Sequence, residues 1–211
     1  MYKQGEGILY RIANESKREY GEEFTTQFGV FKNNNQGEFG GHLISSSGTR
    51  ISGNFINVFD YKDMVYAIDS LNHMGIAHFN LLVFKSSDEY QTIYHTKDFM
   101  EDFENFKFSA MYIDGQEMYI IISGDISSYG KEKYCKDCTK ILKVNESVVD
   151  EVAVVDESFS FINSLVIIGD YAYVSMDKLV AQIALSSGKV DYYTCLSEQA
   201  EENLIQIRKL I

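Results

Sequence analysis

A short strand, a polar turn and a second strand carrying a tyrosine recur along this chain of 211 residues. The copies are Asp60-Tyr61-Lys62-Asp63-Met64-Val65-Tyr66, Ile113-Asp114-Gly115-Gln116-Glu117-Met118-Tyr119 and Ile168-Gly169-Asp170-Tyr171-Ala172-Tyr173. The spacing is 53 residues from Tyr66 to Tyr119 and 54 from Tyr119 to Tyr173. A period of this size marks units that cannot bury an apolar face alone and do so by stacking on their neighbours. A third strand is expected after each copy, at Val83-Phe84-Lys85, Ile141-Leu142-Lys143 and Ile183-Ala184-Leu185. Val30-Phe31-Lys32 reads as an earlier occurrence, so four units are expected.

Each unit opens on a similar stretch, Phe55-Ile56-Asn57-Val58, Phe106-Lys107-Phe108-Ser109 or Phe161-Ile162-Asn163-Ser164, which would be its innermost strand. The N-terminal unit lacks one, because its second strand is read at Ile8-Leu9-Tyr10-Arg11-Ile12, followed by an exposed loop over 14–23. Leu204-Ile205-Gln206-Ile207 follows Asn203 much as Phe55 follows Asn54, and is expected to supply the missing strand. Such closure removes open sheet edges. The tail also fits a helix capped by Ser197, with Ala200, Leu204, Ile207 and Ile211 on one face, so a helix over 197–203 running into a terminal strand satisfies both patterns.

The clearest unit runs from Asn163 to Leu196: apolar alternation, a Gly-Asp turn, further alternation, a break at Ser186-Ser187-Gly188-Lys189 and a last short strand. It resembles one blade of a β-propeller, closest to the quinoprotein-type repeat. The resemblance implies an all-β, four-bladed β-propeller over residues 1–211 as a single domain, closed by the C-terminal strand joining the N-terminal blade. It implies an architecture and no activity.

The chain has no proline, so its turns must be made by Gly, Asn, Asp and Ser. Asn33-Asn34-Asn35-Gln36-Gly37, Ser86-Ser87-Asp88 and Ser186-Ser187-Gly188 are expected as equivalent outer turns. A formal charge of −12 repels nucleic acid and anionic membranes and admits a basic protein partner. Met1 to Glu6 lacks the apolar core of a signal sequence, no apolar run reaches membrane-spanning length, and three cysteines suit a reducing compartment; a cytoplasmic location is expected.

Chemistry-bearing motifs are sparse. Gly37-Glu38-Phe39-Gly40-Gly41 reads as a glycine-rich strand and lacks the Gly-Lys-Ser/Thr of a phosphate loop. His73 and His78 read as loop residues without a third ligand. Cys135 and Cys138 form half a zinc knuckle, with Cys195 far away in sequence, and are read as plain thiols; no metal and no cofactor are expected. Asn57, Phe108, Asn163 and Gln206 are expected to line a central channel, an amide-rich lining with no acid/base pair.

Two functional readings follow. The first is a non-catalytic propeller that sequesters or neutralises a partner protein, the profile of small acidic immunity proteins and phage-encoded inhibitors. Its contacts are expected at Glu101, Asp102 and Glu104 in the connector 97–105, and at Tyr129 and Tyr134 in the long loop 124–138. The alternative is a small-molecule-binding or hydrolytic enzyme at the channel mouth, using Asp60, Asp63, Asp69, His73 or His78. The first is preferred because no defensible catalytic spacing links those five.

Overall fold

The computed structural model describes residues 21–73, 76–96, 106–124, 138–177 and 179–194. These residues form sixteen strands in four antiparallel four-stranded sheets, each ordered as its strands follow in the chain. The first sheet holds β1 (Glu23–Thr26), β2 (Gly29–Asn35), β3 (Gly41–Ile44) and β4 (Arg50–Ser52). The second holds β5 (Phe55–Tyr61), β6 (Met64–His73), β7 (Ile76–Phe84) and β8 (Tyr90–His95). The third holds β9 (Phe106–Asp114), β10 (Glu117–Gly124), β11 (Thr139–Asn145) and β12 (Val148–Val155). The fourth holds β13 (Ile162–Ile168), β14 (Tyr171–Met176), β15 (Leu179–Ala184) and β16 (Val190–Thr194). Among the described residues no helix is long and apolar enough to cross a membrane.

The repeat is exact at the level of register. Two-residue turns join Tyr61 to Met64, Asp114 to Glu117 and Ile168 to Tyr171, and each first turn residue is left-handed: Lys62 at φ 54°, Gly115 at 53° and Gly169 at 57°. A left-handed first residue is what a tight hairpin needs to match the strand twist. Tyr66, Tyr119 and Tyr173 each lie two residues beyond the first ladder pair, opposite Phe59, Tyr112 and Val166. In the first sheet the same position, after the Thr26–Gly29 pair, is Phe31. A β-bulge then interrupts the ladder after the fifth pair in the second, third and fourth sheets, leaving Ile56, Ser109 and Asn163 unopposed. A bulge adds local twist, and placing it identically gives the three sheets the same bend.

Three apolar cores lie between consecutive sheets. Phe31, Leu43 and Ile51 of the first sheet pack on Val58, Val65, Leu82 and Phe84 of the second. Phe59, Tyr66, Ile68, Phe79 and Leu81 of the second meet Met111, Met118, Ile120 and Leu142 of the third. Tyr112, Tyr119 and Ile121 of the third meet Leu165, Val174, Ala181 and Ile183 of the fourth. Phe31, Tyr66 and Tyr119 thus play one role, each facing the following sheet. Full burial of a Phe or Leu side chain contributes about 1.5–3 kcal/mol, so these seams hold the array together. Tyr66 also donates its hydroxyl across the seam to the Glu146 carbonyl at 2.8 Å, and burial pushes its phenol up to about 12.

The first sheet departs from the sequence expectation. Val30-Phe31-Lys32 lies in its second strand, and its third strand is Gly41–Ile44. Asn33-Asn34-Asn35 is strand rather than turn, because Asn33 is buried and its amide donates to the Phe55 carbonyl of the next sheet. The matching outer turn is instead Ser45 to Thr49, closed by the Ser45 amide on the Thr49 carbonyl at 2.9 Å. Gly37–Phe39 is a 3-10 turn, made possible by left-handed Gly37 and Gly40. All four strands of this sheet come from Glu23–Ser52. Ile8–Ile12 and 197–211 lie outside the described residues.

Candidate functional site

The up-and-down order sorts the connections between two ends of the sheets. One end carries the tight hairpins between first and second strands and the short turns between third and fourth. The other end carries the Gln36–Gly40 turn, the β6–β7, β10–β11 and β14–β15 connections, and the links that lead into β5, β9 and β13. The strand ends that flank 97–105 and 125–137, segments outside the described residues, also lie at this end. Loops hung from a fixed sheet are where binding residues are tolerated.

At this end the junction between the first and second sheets is held by Asp69. Its carboxylate accepts the Asn54 amide at 2.6 Å, His78 Nε2 at 2.9 Å and Asn80 Nδ2 at 2.8 Å. Burial pushes the carboxyl up, but the bond and charge of His78, with the Asn80 and Asn54 bonds, bring it net below its usual value. Gly53 makes room: a Cβ there would lie 3.0 Å from this carboxylate and 2.8 Å from the Phe55 ring. Ser70 Oγ donates to the His78 carbonyl at 2.9 Å and accepts the Phe108 amide at 3.1 Å, tying the second sheet to the third. The cluster fixes β5, β6, β7 and β9 relative to one another; it is a latch rather than a catalytic triad, because its serine faces the backbone and not the imidazole.

Two phenylalanines at the same end point into solvent. Phe39 sits on the 3-10 turn between left-handed Gly37 (φ 62°) and Gly40 (φ 87°) and is 82% exposed. Phe161 is also 82% exposed and has itself a left-handed φ of 56°. A bulky residue there is strained, and such strain persists only where the surroundings over-determine the backbone. They do. Thr139 Oγ1 donates to the Glu157 carbonyl at 2.8 Å and accepts the Phe159 amide at 3.0 Å, Ser158 Oγ donates to the Gly124 carbonyl, and the Phe159 ring is buried against Tyr192. Phe159 goes inward and Phe161 outward from one anchored segment.

The sequence-derived candidates fare unevenly. Glu101, Asp102, Glu104, Tyr129, Tyr134, Cys135 and Gln206 lie outside the described residues. Asn57, Phe108 and Asn163 do not share one register position: Asn163 is the bulged residue, while Phe108 and Asn57 stand on opposite sides of their bulges. The phenylalanines on which the unit starts align, Phe55, Phe106 and Phe161, stand 11, 13 and 12 residues before Tyr66, Tyr119 and Tyr173, so alignment on them slips the register. Phe55 and Phe106 are core residues whereas Phe161 is exposed, so the shared phenylalanine at the unit start conceals different roles. His73 and His78 belong to strands β6 and β7, not to a loop. Asp69 and His78 come together, whereas Asp60 accepts the Gln27 amide at 3.0 Å and Asp63 occupies a hairpin turn, both at the opposite end. Among the described residues no group of three His, Cys, Asp or Glu side chains could hold a metal ion. Phe39 was detectable in the sequence by its flanking glycines; Phe161 carried no such signal.

The described residues thus define an all-β fold of four four-stranded antiparallel sheets, with Phe39 and Phe161 exposed at one end. No protein-family model matches the chain, and no curated protein matches it either.

Proposed function

We propose that the four sheets are successive blades of a β-propeller and that the loop-bearing end binds another protein without chemistry of its own, sequestering or neutralising it. The observation that carries this reading is Phe161, an aromatic ring held in solvent on a strained backbone by an anchored segment. Exposed aromatics are the residues from which interface hot spots are built, and nothing in the fold needs this one outside. Phe39 adds a second anchor at the same end. The formal charge of −12 favours a basic partner by speeding encounter, with Glu101, Asp102 and Glu104 as its steering charges and Tyr129 and Tyr134 as further contacts. Three cysteines in 211 residues suit a reducing, cytoplasmic setting. The Asp69–His78 pair is the one observation favouring an enzyme at this end, and its three-way hydrogen bonding explains it without a substrate.

The test is cross-linked capture from native cell extract using the intact chain, the double variant Phe39→Ser/Phe161→Ser, and Asp63→Lys at the hairpin end as control. The intact chain and control should recover one protein near equal stoichiometry, and the double variant should lose it while keeping its circular dichroism. Equal recovery by the double variant sinks the reading.

A further inference from the structure

The first sheet turns one face away from the second, and a recess of about 430 Å³ opens there. Phe31, Leu43 and Ile51 point into the core shared with the second sheet, so strand alternation sends Lys32, Asn34, His42, Ile44 and Arg50 to the other side. The ladder sets Lys32 opposite Ile44 and Asn34 opposite His42, and all four line the recess. Gln36, where β2 gives way to the 3-10 turn, extends the lining to the loop-bearing end.

The polar groups around this recess are mostly donors. Arg50 can only donate, so His42 Nδ1, 3.1 Å from the guanidinium, accepts and the ring proton sits on Nε2. Burial, and after it the Arg50 charge, lowers the His42 pKa and so favours this neutral form. Among the described residues the side-chain amides of Asn34 and Gln36 have no hydrogen-bond partner, leaving each with two N–H groups to donate. Lys32 adds an ammonium, which pairs with Glu23 Oε1 at 2.7 Å; both side chains of that pair are more than half exposed, and an ion pair so open to water is readily exchanged. Among the outward-facing residues of the four strands, two positive charges (Lys32 and Arg50) stand against one negative (Glu23), a net of one on a chain whose formal charge is −12.

We propose that this recess binds the carboxylate of a small organic monoanion. Lys32, His42 Nε2 and the amides of Asn34 and Gln36 donate to the carboxylate, and Ile44 gives the carbon skeleton an apolar contact. The Glu23 carboxylate already held by Lys32 is the kind of acceptor this ammonium takes, and one net positive charge matches a monoanion better than a dianion. The volume falls within the roughly 300–1,000 Å³ of small-molecule sites. The site is independent of the protein-binding reading, because it uses neither Phe39 nor Phe161.

The test titrates the intact chain with butyrate, n-butyl phosphate and n-butanol, reading the side-chain amide resonances of Asn34 and Gln36 and the imidazole of His42 by NMR. Butyrate should shift all three saturably with one dissociation constant, and butanol and butyl phosphate should each bind about tenfold more weakly. Lys32→Gln should weaken butyrate binding about tenfold, whereas Glu23→Gln, which removes the resident competitor, should tighten it roughly threefold. Both positions are exposed, and backbone amide spectra matching the parent's confirm that each variant folds. Equal binding of butanol and butyrate would make the recess merely apolar, and tighter binding of butyl phosphate would make it a phosphate site; either overturns the inference. The absence of a saturable response in the parent, or unchanged butyrate affinity in Lys32→Gln, overturns it as well.

Discussion

Replacing Phe161 separates stability from binding. Its left-handed backbone costs a non-glycine residue about 1–2 kcal/mol, which glycine escapes at an unfolded-chain entropy cost of about 0.5–1 kcal/mol. The ring is 82% exposed, so its removal forfeits little burial, a few tenths of a kcal/mol at about 25 cal/mol per Å². Phe161→Gly should therefore be as stable as the parent or up to about 1 kcal/mol more stable. Phe161→Ala, which keeps the strain, should stay within about 0.5 kcal/mol. Urea unfolding followed by far-ultraviolet circular dichroism measures both. Against the captured partner each variant should bind roughly 30-fold more weakly, the signature of a hot-spot residue worth about 2 kcal/mol. A loss of about 2 kcal/mol of stability in Phe161→Ala would show that the ring packs and would refute the reasoning, as would unchanged affinity in a well-folded variant.

Asp69→Asn should cost about 1–3 kcal/mol at neutral pH, since an amide cannot accept from Asn54, His78 and Asn80 together. Because the folded carboxyl lies below its unfolded value near 3.9, its contribution is present above that pH and fades as pH falls through the lower folded value; denaturation curves should show parent and variant converging in acid and not at neutral pH. Tyr66→Phe removes the bond to the Glu146 carbonyl and should lower stability by about 1 kcal/mol in the same assay, with the burial of the ring retained. Charge reversal of Glu101 and Asp102 should slow association and flatten its dependence on salt, whereas Tyr129→Ala should speed dissociation; stopped-flow or surface-resonance kinetics distinguishes the two.

The hairpins were legible because tight turns and alternation leave local marks: Lys62-Asp63, Gly115-Gln116 and Gly169-Asp170 sit where expected, and Tyr66, Tyr119 and Tyr173 share one register. The first unit differs from its expected assignment by one strand because Asn33 to Asn35 have turn composition, yet Asn33 is held in the strand by a bond to Phe55, a partner 22 residues away. Ser46-Ser47-Gly48, with the same composition as Ser186-Ser187-Gly188, occupies the outer turn. Asp69 and His78 could not be paired from spacing, since their meeting depends on the β6–β7 register. Exposure of Phe161 is decided by a backbone angle and by anchors from β11, neither of which leaves a local pattern.

Hydrogen exchange of the chain with and without its captured partner tests the assignment of the binding end most directly. Binding should slow exchange in Gln36–Gly40, Asp156–Phe161, 97–105 and 125–137, and leave the hairpin turns at Lys62-Asp63, Gly115-Gln116 and Gly169-Asp170 unchanged. Protection confined to those hairpin turns, with the long connections unaffected, would contradict it.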